Sequence, residues 1–300
     1  MLPAGAESGI LRGQQTRGRH RPDAEVDLAD KAPSPESREA RQSGKNGVPR
    51  FPMSTFDYLM QVKERRGAGY LALFDPDRLP EEEIIQRAAM CAECGADAIL
   101  LGSSILLSTH FDDVTEGVKQ AVDVPVIIFP GDVNQISAKA DALLFLSLVS
   151  GRNAEYLIGQ QAKAAPILKS YRLEAISTGY LLIESGKMTT AEFASNTKPI
   201  SRDKPEIAMM HALAAEYIGM KMVYLDTGSG APQPVPDDMV RAVADYISLP
   251  IIVGGCIRTP QAARDKVRAG ASFIVTGTML EGQTSPGALR EFSEAIHVRG

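Results

Sequence analysis

Residues 250–258 have the sequence PIIVGGCIR, and residues 269–278 have the sequence AGASFIVTGT. In each stretch a short apolar run, typical of a buried parallel strand, ends abruptly at glycine. Glycine lets the backbone approach a ligand closely and direct its N–H groups at an anion. Two such ends on consecutive βα units are typical of the phosphate site after strands 7 and 8 of a (β/α)8 barrel. The pair therefore predicts a barrel that binds a phosphorylated small molecule.

The chain from residue 53 onward alternates short runs rich in Val, Ile, Leu and Phe with amphipathic stretches. This alternation is typical of repeated βα units around a parallel sheet, in the α/β class. Eight strands are predicted, the number in a (β/α)8 TIM barrel, at 70–75, 98–103, 125–130, 142–148, 174–183, 222–227, 250–255 and 273–277. Helices are predicted at 81–94, 112–122, 154–169, 205–219, 237–248, 259–269 and 287–297.

Two connections depart from the regular alternation. The segment 131–141, between the third and fourth strands, is too short and polar for a full helix, so we expect an irregular or missing third helix. The segment 184–204 is a long polar insertion after the fifth strand. Long loops on a barrel are usually lids or binding loops.

Composition excludes several classes of protein. A chain of 300 residues with 44% hydrophobic content is long enough for one barrel of about 250 residues. The net charge of −5 argues against a nucleic-acid partner. Three cysteines do not make a disulfide framework, and they indicate a reducing, cytoplasmic location. No apolar run reaches the roughly 18 residues that span a bilayer.

The N-terminal residues 1–52 differ from the rest of the chain. The first 50 contain no Phe, Tyr or Trp and are rich in Arg, Gly, Ser and Pro. Such a composition buries too little apolar surface to offset the entropy cost of ordering, so we expect a disordered extension before a barrel formed by 53–300. Met53 is a candidate initiator, in which case the extension is not part of the native protein. The alternative is an arm that binds a partner.

Polar side chains follow several predicted strands, where they would face the mouth of a barrel. Asp75 and Asp77 follow the first strand. Such carboxylates can bind Mg²⁺ when diphosphate oxygens complete its coordination shell. The alternative is that they only form a turn, since Asp-Pro-Asp is a common turn sequence. Ser103 and Ser104 follow the second strand, where hydroxyls can assist metal or phosphate binding or cap the next element. Arg152, in a Ser/Gly-rich loop, is either an anion clamp or part of a surface loop.

The sixth predicted strand continues into YLDTGSGAP at 224–232. Tyr224 and Asp226 alternate with Leu225, so both point to the same side of the strand, which in a barrel can be the lumen. Asp226 lies at the strand end, where it can accept a hydroxyl proton or hold a polyol. The alternative is a structural aspartate that caps the turn at 228–230, whose glycines offer further amides to a phosphate.

Together these segments resemble the geranylgeranylglyceryl phosphate synthase family, a set of (β/α)8 prenyltransferases. The resemblance covers nearly all of 54–298, and it is closest to the branch found in some archaea and in bacteria of the Bacteroidetes type. The motifs are LFDPDR at 73–78, SLVSGRNAEYL at 147–157, TGYLL at 178–182, YLDTGSGAPQPV at 224–235, VGGCIRTP at 253–260 and IVTGT at 274–278.

The resemblance implies transfer of a geranylgeranyl group from geranylgeranyl diphosphate to the sn-3 hydroxyl of sn-glycerol 1-phosphate. It implies Mg²⁺ at Asp75 and Ser104, with catalysis by Asp226 and Tyr224. We also expect a homo-oligomer and a transient contact with a membrane surface. An apolar groove for the prenyl tail is expected at Phe129, Leu146 and Leu148. The implied substrate-binding residues are Tyr224, Asp226, Thr227, Gly228, Ser229, Gly230, Gly254, Gly255, Gly277, Thr278 and Arg152.

Several positions depart from the family pattern. Asp226 replaces a common Glu and is one methylene shorter, Cys256 replaces the third glycine of the strand 7 turn, and Ser103 stands where Gly is usual. Two alternatives therefore stay open: a catalytically silent barrel that only binds a phosphorylated metabolite or lipid, and another phosphate-binding barrel that acts as an isomerase or lyase. No predicted strand contains Lys, which counts against a lysine-dependent enzyme of the second kind.

Overall fold

Eight parallel strands close into a barrel in the computed structural model, which describes residues 53–282 and 285–298. Each strand pairs with the next along the chain and the last pairs with the first, so the sheet has no free edge. The predicted barrel is confirmed, whereas the predicted extension 1–52 lies outside the described residues. The strands are β1 (Gly69–Phe74), β2 (Ala98–Leu101), β3 (Val126–Ile128), β4 (Ala142–Ser147), β5 (Glu174–Leu182), β6 (Met222–Asp226), β7 (Ile251–Gly254) and β8 (Phe273–Thr276).

Helices connect these strands, and among the described residues none is long and apolar enough to cross a membrane. A π-helix, Glu155–Gly159, directly precedes α4, where the sequence predicts one continuous helix. The α-helices are α1 (Thr55–Arg66), α2 (Glu81–Glu93), α3 (Phe111–Ala121), α4 (Gln160–Tyr171), α5 (Thr190–Ser195), α6 (Pro205–Ile218), α7 (Asp237–Ala244), α8 (Pro260–Arg268), α9 (Thr278–Glu281) and α10 (Pro286–Ile296).

The connection between β3 and β4 contains no helix, and all of its residues, 129–141, are described. An Asp132 side-chain oxygen accepts a hydrogen bond from the Asn134 N–H at 2.8 Å, which favours a turn over a helix. The buried Gln135 amide exchanges two hydrogen bonds with the Ser103 backbone, at 2.9 and 2.8 Å, and so holds this segment against the loop after β2. The predicted absence of a regular third helix is confirmed.

Inward-facing side chains fill the barrel, and α1 closes its amino end. Leu59 of α1 is buried with the lumen side chains, and Phe56 packs against them. The Thr55 and Phe56 backbone N–H groups donate to the Glu174 carboxylate at the start of β5, at 2.6 and 3.2 Å. In the described part of the chain the amino end is therefore closed, and the lumen opens at the carboxyl ends of the strands.

Candidate active site

A cavity of about 530 Å³ opens at the carboxyl ends of the strands. All eight strands or the residues just after them contribute to its lining, including Asp75, Gly102, Phe129, Leu146, Tyr180, Asp226, Gly255 and Gly277. The predicted residues that line it are Asp75, Ser104, Tyr224, Asp226, Ser229, Gly230, Gly255, Gly277 and Thr278. The structure thus brings most of the predicted set to one place, as the barrel topology requires.

Four predicted residues do not line the cavity, namely Thr227, Gly228, Gly254 and Arg152, and of these Arg152 is engaged with other groups. Its guanidinium donates to the Gly151 carbonyl at 2.7 Å and lies 3.3 Å from Nε2 of His211 on α6. It does not line the cavity, so its position gives no support to the predicted anion clamp. The arginine that does line the cavity is Arg258, which donates to the Ala231 carbonyl at 3.1 Å. Its place directly after the strand 7 glycine turn was the signal available in the sequence.

Asp226 is buried at the end of β6 and faces the cavity. The Tyr180 hydroxyl donates to its Oδ2 at 2.7 Å, and the Gly228 N–H donates to its Oδ1 at 2.9 Å. Burial raises the pKa of this carboxyl, while the hydrogen bonds from Tyr180, Gly228 and Thr227 oppose the rise. A base is most effective when its pKa lies near the working pH, so this environment suits proton acceptance from a hydroxyl.

Three aromatic rings surround the space beside Asp226. Phe129 stacks on Tyr224 with ring centroids 5.1 Å apart, and Tyr180 meets Tyr224 edge-on at 5.5 Å. Burial, with the Asp226 carboxylate nearby, raises the pKa of both phenols well above its ordinary value, so both stay protonated. Rings arranged in this way can stabilise a cation at their faces.

Tyr180 is a site residue that sequence reasoning misses. Its motif at 178–182 contributes to the family resemblance, but no role follows from that resemblance alone. The available signal was the parity of β5, because Ile176, Tyr180 and Leu182 all belong to the cluster that fills the lumen.

The glycines after β7 make room for the neighbouring strand. A methyl group at Gly254 would lie 2.3 Å from the Tyr224 hydroxyl oxygen, and one at Gly255 would lie 2.2 Å from Oγ1 of Thr227. Gly255 also has a φ of 80°, in the region where side chains are disfavoured. Gly254 does not itself line the cavity. Its position therefore explains how the Tyr224 ring fits rather than how a phosphate is held.

Cys256 occupies the third position of this turn with a φ of 56°. This left-handed conformation favours glycine, so the cysteine is strained where the family pattern has glycine. Its thiol is free and half-buried, and it lines the cavity. Gly228 and Gly230 in the turn after β6 also have positive φ, at 85° and 69°, and there glycine is retained.

Asp75 lies at the end of β1 and lines the same cavity, with 18% of its side chain exposed. Its Oδ2 accepts from the Ser103 hydroxyl at 3.0 Å and lies 3.6 Å from Nε of Arg78. The structure therefore brings Ser103 to Asp75, whereas Ser104, the predicted metal residue, lines the cavity without that bond. The Asp77 carboxylate accepts from the Leu107 and Ser108 N–H groups at 2.7 and 2.8 Å and holds that loop.

The oxygen atoms near Asp75 suit a hard divalent cation that takes most of its ligands from water and substrate. Among the described residues no group of three or more His, Cys, Asp or Glu side chains forms a metal site. Mg²⁺ is commonly held by one or two carboxylates together with waters and substrate phosphates. The partly exposed Asp75 carboxylate, with the Ser103 hydroxyl beside it, fits that kind of site.

The cavity also extends over the rim of the barrel at β4. Leu144 and Leu146 face the lumen, whereas Leu143 and Phe145 face outward, and all four line the cavity. Ala164 of α4 lines the same space on the outside. Phe129, Leu146 and Leu148, the residues expected to form an apolar groove, are all part of the lining. The lumen therefore continues into the space left free by the missing third helix.

The model of the PcrB family matches residues 60–296, which include all eight strands. The chain belongs to the PcrB family. A relative of this PcrB-family chain, the geranylgeranylglyceryl phosphate synthase of Chitinophaga pinensis, is 45% identical over 228 residues, which cover 76% of this chain and 90% of the relative. The enzyme of the same name from Korarchaeum cryptofilum is 43% identical over 225 residues, covering 75% of this chain and 92% of its own.

A solved structure extends the comparison to the fold of this PcrB-family chain. The crystal structure of (S)-3-O-geranylgeranylglyceryl phosphate synthase from Thermoplasma acidophilum, in complex with its substrate sn-glycerol-1-phosphate, aligns with a TM-score of 0.77 and 37% identity. The alignment covers 82% of this chain and 99% of that one. The resemblance drawn from the motifs is confirmed.

Proposed function

We propose that this PcrB-family chain transfers the geranylgeranyl group of geranylgeranyl diphosphate to the sn-3 hydroxyl of sn-glycerol 1-phosphate. The observation that carries the proposal is one cavity in which Asp226 lies between glycine-rich turns and an apolar extension. Such a cavity has a place for a polar acceptor and for an isoprenoid chain, with a base between them. The names of the relatives at 43–45% identity support the same activity.

The polar end of the cavity suits glycerol phosphate. Ser229, Gly230, Gly255, Gly277 and Thr278 line this end, on the turns after β6, β7 and β8. Backbone N–H groups in such turns bind anions because they present several donors without a side chain in the way. The Arg258 guanidinium at the same end adds positive charge and further donors for phosphate oxygens.

Asp226 is the proposed base. The acceptor hydroxyl gives its proton to the Asp226 carboxylate as its oxygen forms the new C–O bond with the prenyl carbon. The old C–O bond of the donor breaks, and the diphosphate leaves with that electron pair, so atoms and charges balance. Tyr180 keeps the carboxylate oriented, and Tyr224 contributes a phenol that stays protonated and can bind a glycerol hydroxyl.

In this proposal the donor diphosphate binds at Asp75, and its prenyl chain lies along β4. Asp75, with Ser103 and with Ser104 nearby, would hold Mg²⁺. When bound there, the ion supplies positive charge that offsets the charge of the leaving diphosphate. Arg78 lines the same end and adds a cation. The rings of Phe129, Tyr180 and Tyr224 pack against one another and would stabilise positive charge that develops on the prenyl carbon.

A product assay tests the proposal directly. Purified full-length protein is offered a series of prenyl diphosphates of increasing length with each enantiomer of glycerol phosphate, and products are identified by mass. We expect geranylgeranylglyceryl phosphate from sn-glycerol 1-phosphate, with Mg²⁺ required. Binding of glycerol phosphate without any product would instead support the catalytically silent barrel, and Asp226→Asn serves as the matched inactive control.

We also propose that the chain forms a homo-oligomer. Met210, Tyr217 and Ile218 are strongly exposed on α6 and recur at the spacing of one helix face. An exposed apolar stripe of this kind is typical of a subunit interface. Light scattering on the purified protein should give at least twice the mass of one chain, and Tyr217→Asp should reduce it. The cytoplasmic location stays a prediction.

A further inference from the structure

Five large apolar side chains are exposed around the opening of the cavity, and we call them the apolar collar: Ile105, Leu107, Ile158, Met188 and Phe193. Leu107 is 82% exposed and Phe193 is 70% exposed. Ile105 and Leu107 follow β2, Ile158 follows β4, and Met188 and Phe193 follow β5. All five therefore lie at the carboxyl end of the barrel, the end at which the cavity opens.

Single exposed apolar residues are common on protein surfaces, but the collar is tied to the cavity. Phe193 lies on α5, and Thr190, Ala191 and Ala194 of the same short helix line the cavity while Phe193 faces away from it. Ile158 has the same relation to Tyr156 in the π-helix. The segments that line the opening thus present apolar groups on their outer side, where water would ordinarily favour polar ones.

Two lysines lie beside the collar, in the segment that carries Met188 and Phe193. Lys187 directly precedes Met188, and Lys198 follows α5, and both side chains are exposed. Neither ammonium group forms an ion pair with a carboxylate among the described residues. The same segment also contains the carboxylates of Glu184, which accepts a hydrogen bond from the Ser201 hydroxyl at 3.1 Å, and of Glu192. Lysines next to exposed apolar side chains are typical of protein surfaces that bind anionic bilayers.

We infer that the apolar collar docks this protein onto the surface of a lipid bilayer, with the opening of the cavity facing the lipid. The inference rests on the proposed function, because a prenyl donor and a prenylated product are themselves lipids. Docking in this orientation would let an isoprenoid chain pass between bilayer and cavity without crossing water, which disfavours exposure of its apolar surface.

Co-sedimentation with vesicles tests the docking without any turnover. The full-length protein is mixed with large unilamellar vesicles of phosphatidylglycerol and phosphatidylcholine in equal parts, and the bound fraction gives a partition coefficient. The variant Ile158→Ser/Met188→Ser/Phe193→Ser changes three collar residues that do not line the cavity. We expect it to lower the partition coefficient by about tenfold or more, because three buried side chains would be lost from the lipid.

The matched control replaces three exposed apolar residues outside the collar, as Tyr171→Ser/Tyr246→Ser/Val298→Ser. This variant should bind vesicles like the parent protein. The inference is overturned if the parent does not bind, if the collar variant binds equally well, or if the control loses binding to the same degree. Because the assay contains no substrate, these outcomes are independent of whether the product assay finds geranylgeranylglyceryl phosphate.

Discussion

The Tyr180 hydroxyl donates a hydrogen bond to Oδ2 of Asp226 at 2.7 Å, between the paired strands β5 and β6. In the strand register Tyr180 is opposite Tyr224, and Asp226 is opposite Leu182, so the hydrogen bond is diagonal. It joins the proposed base to a phenol that is itself in contact with the other aromatic rings. The protonation of Asp226 and the shape of the reaction space are therefore linked through Tyr180.

Replacing Tyr180 with Phe should reduce activity and change its pH dependence. The Tyr180 hydrogen bond lowers the pKa of Asp226, so its loss leaves burial less opposed and the pKa rises further. Since the active form is the carboxylate, the acid limb of the kcat/KM profile should move to higher pH. We expect kcat/KM near neutral pH to fall by about 10–100-fold, measured across a pH series.

Tyr224→Phe is the matched control for this prediction. It removes a phenol oxygen from the same ring cluster, but the hydrogen bond to Asp226 comes from Tyr180. Its main effect should be a higher KM for glycerol phosphate, and the acid limb of the kcat/KM profile should stay at the same pH. An acid limb that moves equally in both variants would contradict the role given to Tyr180.

Asp75→Ala should abolish turnover with Mg²⁺ and leave the fold intact. The carboxylate is partly exposed at the cavity and bonded to Ser103, so its loss removes charge at the diphosphate end without opening the core. We expect kcat/KM to fall by at least about 10³-fold, with an unchanged circular dichroism spectrum. Near-normal activity would remove Asp75 from this role. Asp77→Asn, at a carboxylate that lines the cavity but is bonded to the 107–108 loop, should have a much smaller effect.

Gly254→Ala should damage both stability and activity. The added methyl group would lie 2.3 Å from the Tyr224 hydroxyl oxygen, so the buried ring or the β7 backbone must move. Overpacking of this kind costs about 1–3 kcal/mol of unfolding free energy, measurable by denaturant titration. At Gly277 the nearest atom to an added methyl group is 3.5 Å away, an ordinary contact. Gly277→Ala should therefore keep normal stability, and equal losses in both variants would contradict the steric explanation.

Cys256→Gly should stabilise the protein slightly. The left-handed φ of 56° costs a non-glycine residue roughly 1–2 kcal/mol, part of which is offset by the greater freedom of glycine in the unfolded chain. We expect a net gain of about 0.5 kcal/mol in unfolding free energy. Cys256→Ala keeps a side chain in the strained conformation and should show no such gain. A stabilised alanine variant would show that the thiol, rather than the backbone, is responsible.

The barrel could be predicted because its signals are local. Each strand is a short apolar run, most of the runs end at glycine or a polar residue, and eight of them recur along the chain from residue 53 onward. The helices α1, α5 and α9 are absent from the prediction. α1 is fixed by tertiary contacts, namely Leu59 in the barrel end and Glu174 at its first turn, whereas α5 has six residues and α9 has four.

Site residues on strands could likewise be predicted from local patterns, whereas those in loops could not. Tyr224 and Asp226 lie on a strand, where alternation fixes which way a side chain points, and both line the cavity. Ser103 and Ser104 lie beyond a strand end, where parity no longer decides which hydroxyl meets Asp75. Arg152 has a long side chain in a loop, and its direction depends on His211 of a distant helix, which no local pattern indicates.

The helix-free connection at 129–141 separates the room for a hydrocarbon chain from the part of the cavity that would bind a polar head group. In the proposed function, binding of the head group depends on the turns after β6, β7 and β8, whereas the room for the hydrocarbon depends on β4, α4 and this connection. Substitutions on one side of the rim can retune tail length while the reacting groups on the other side stay as they are.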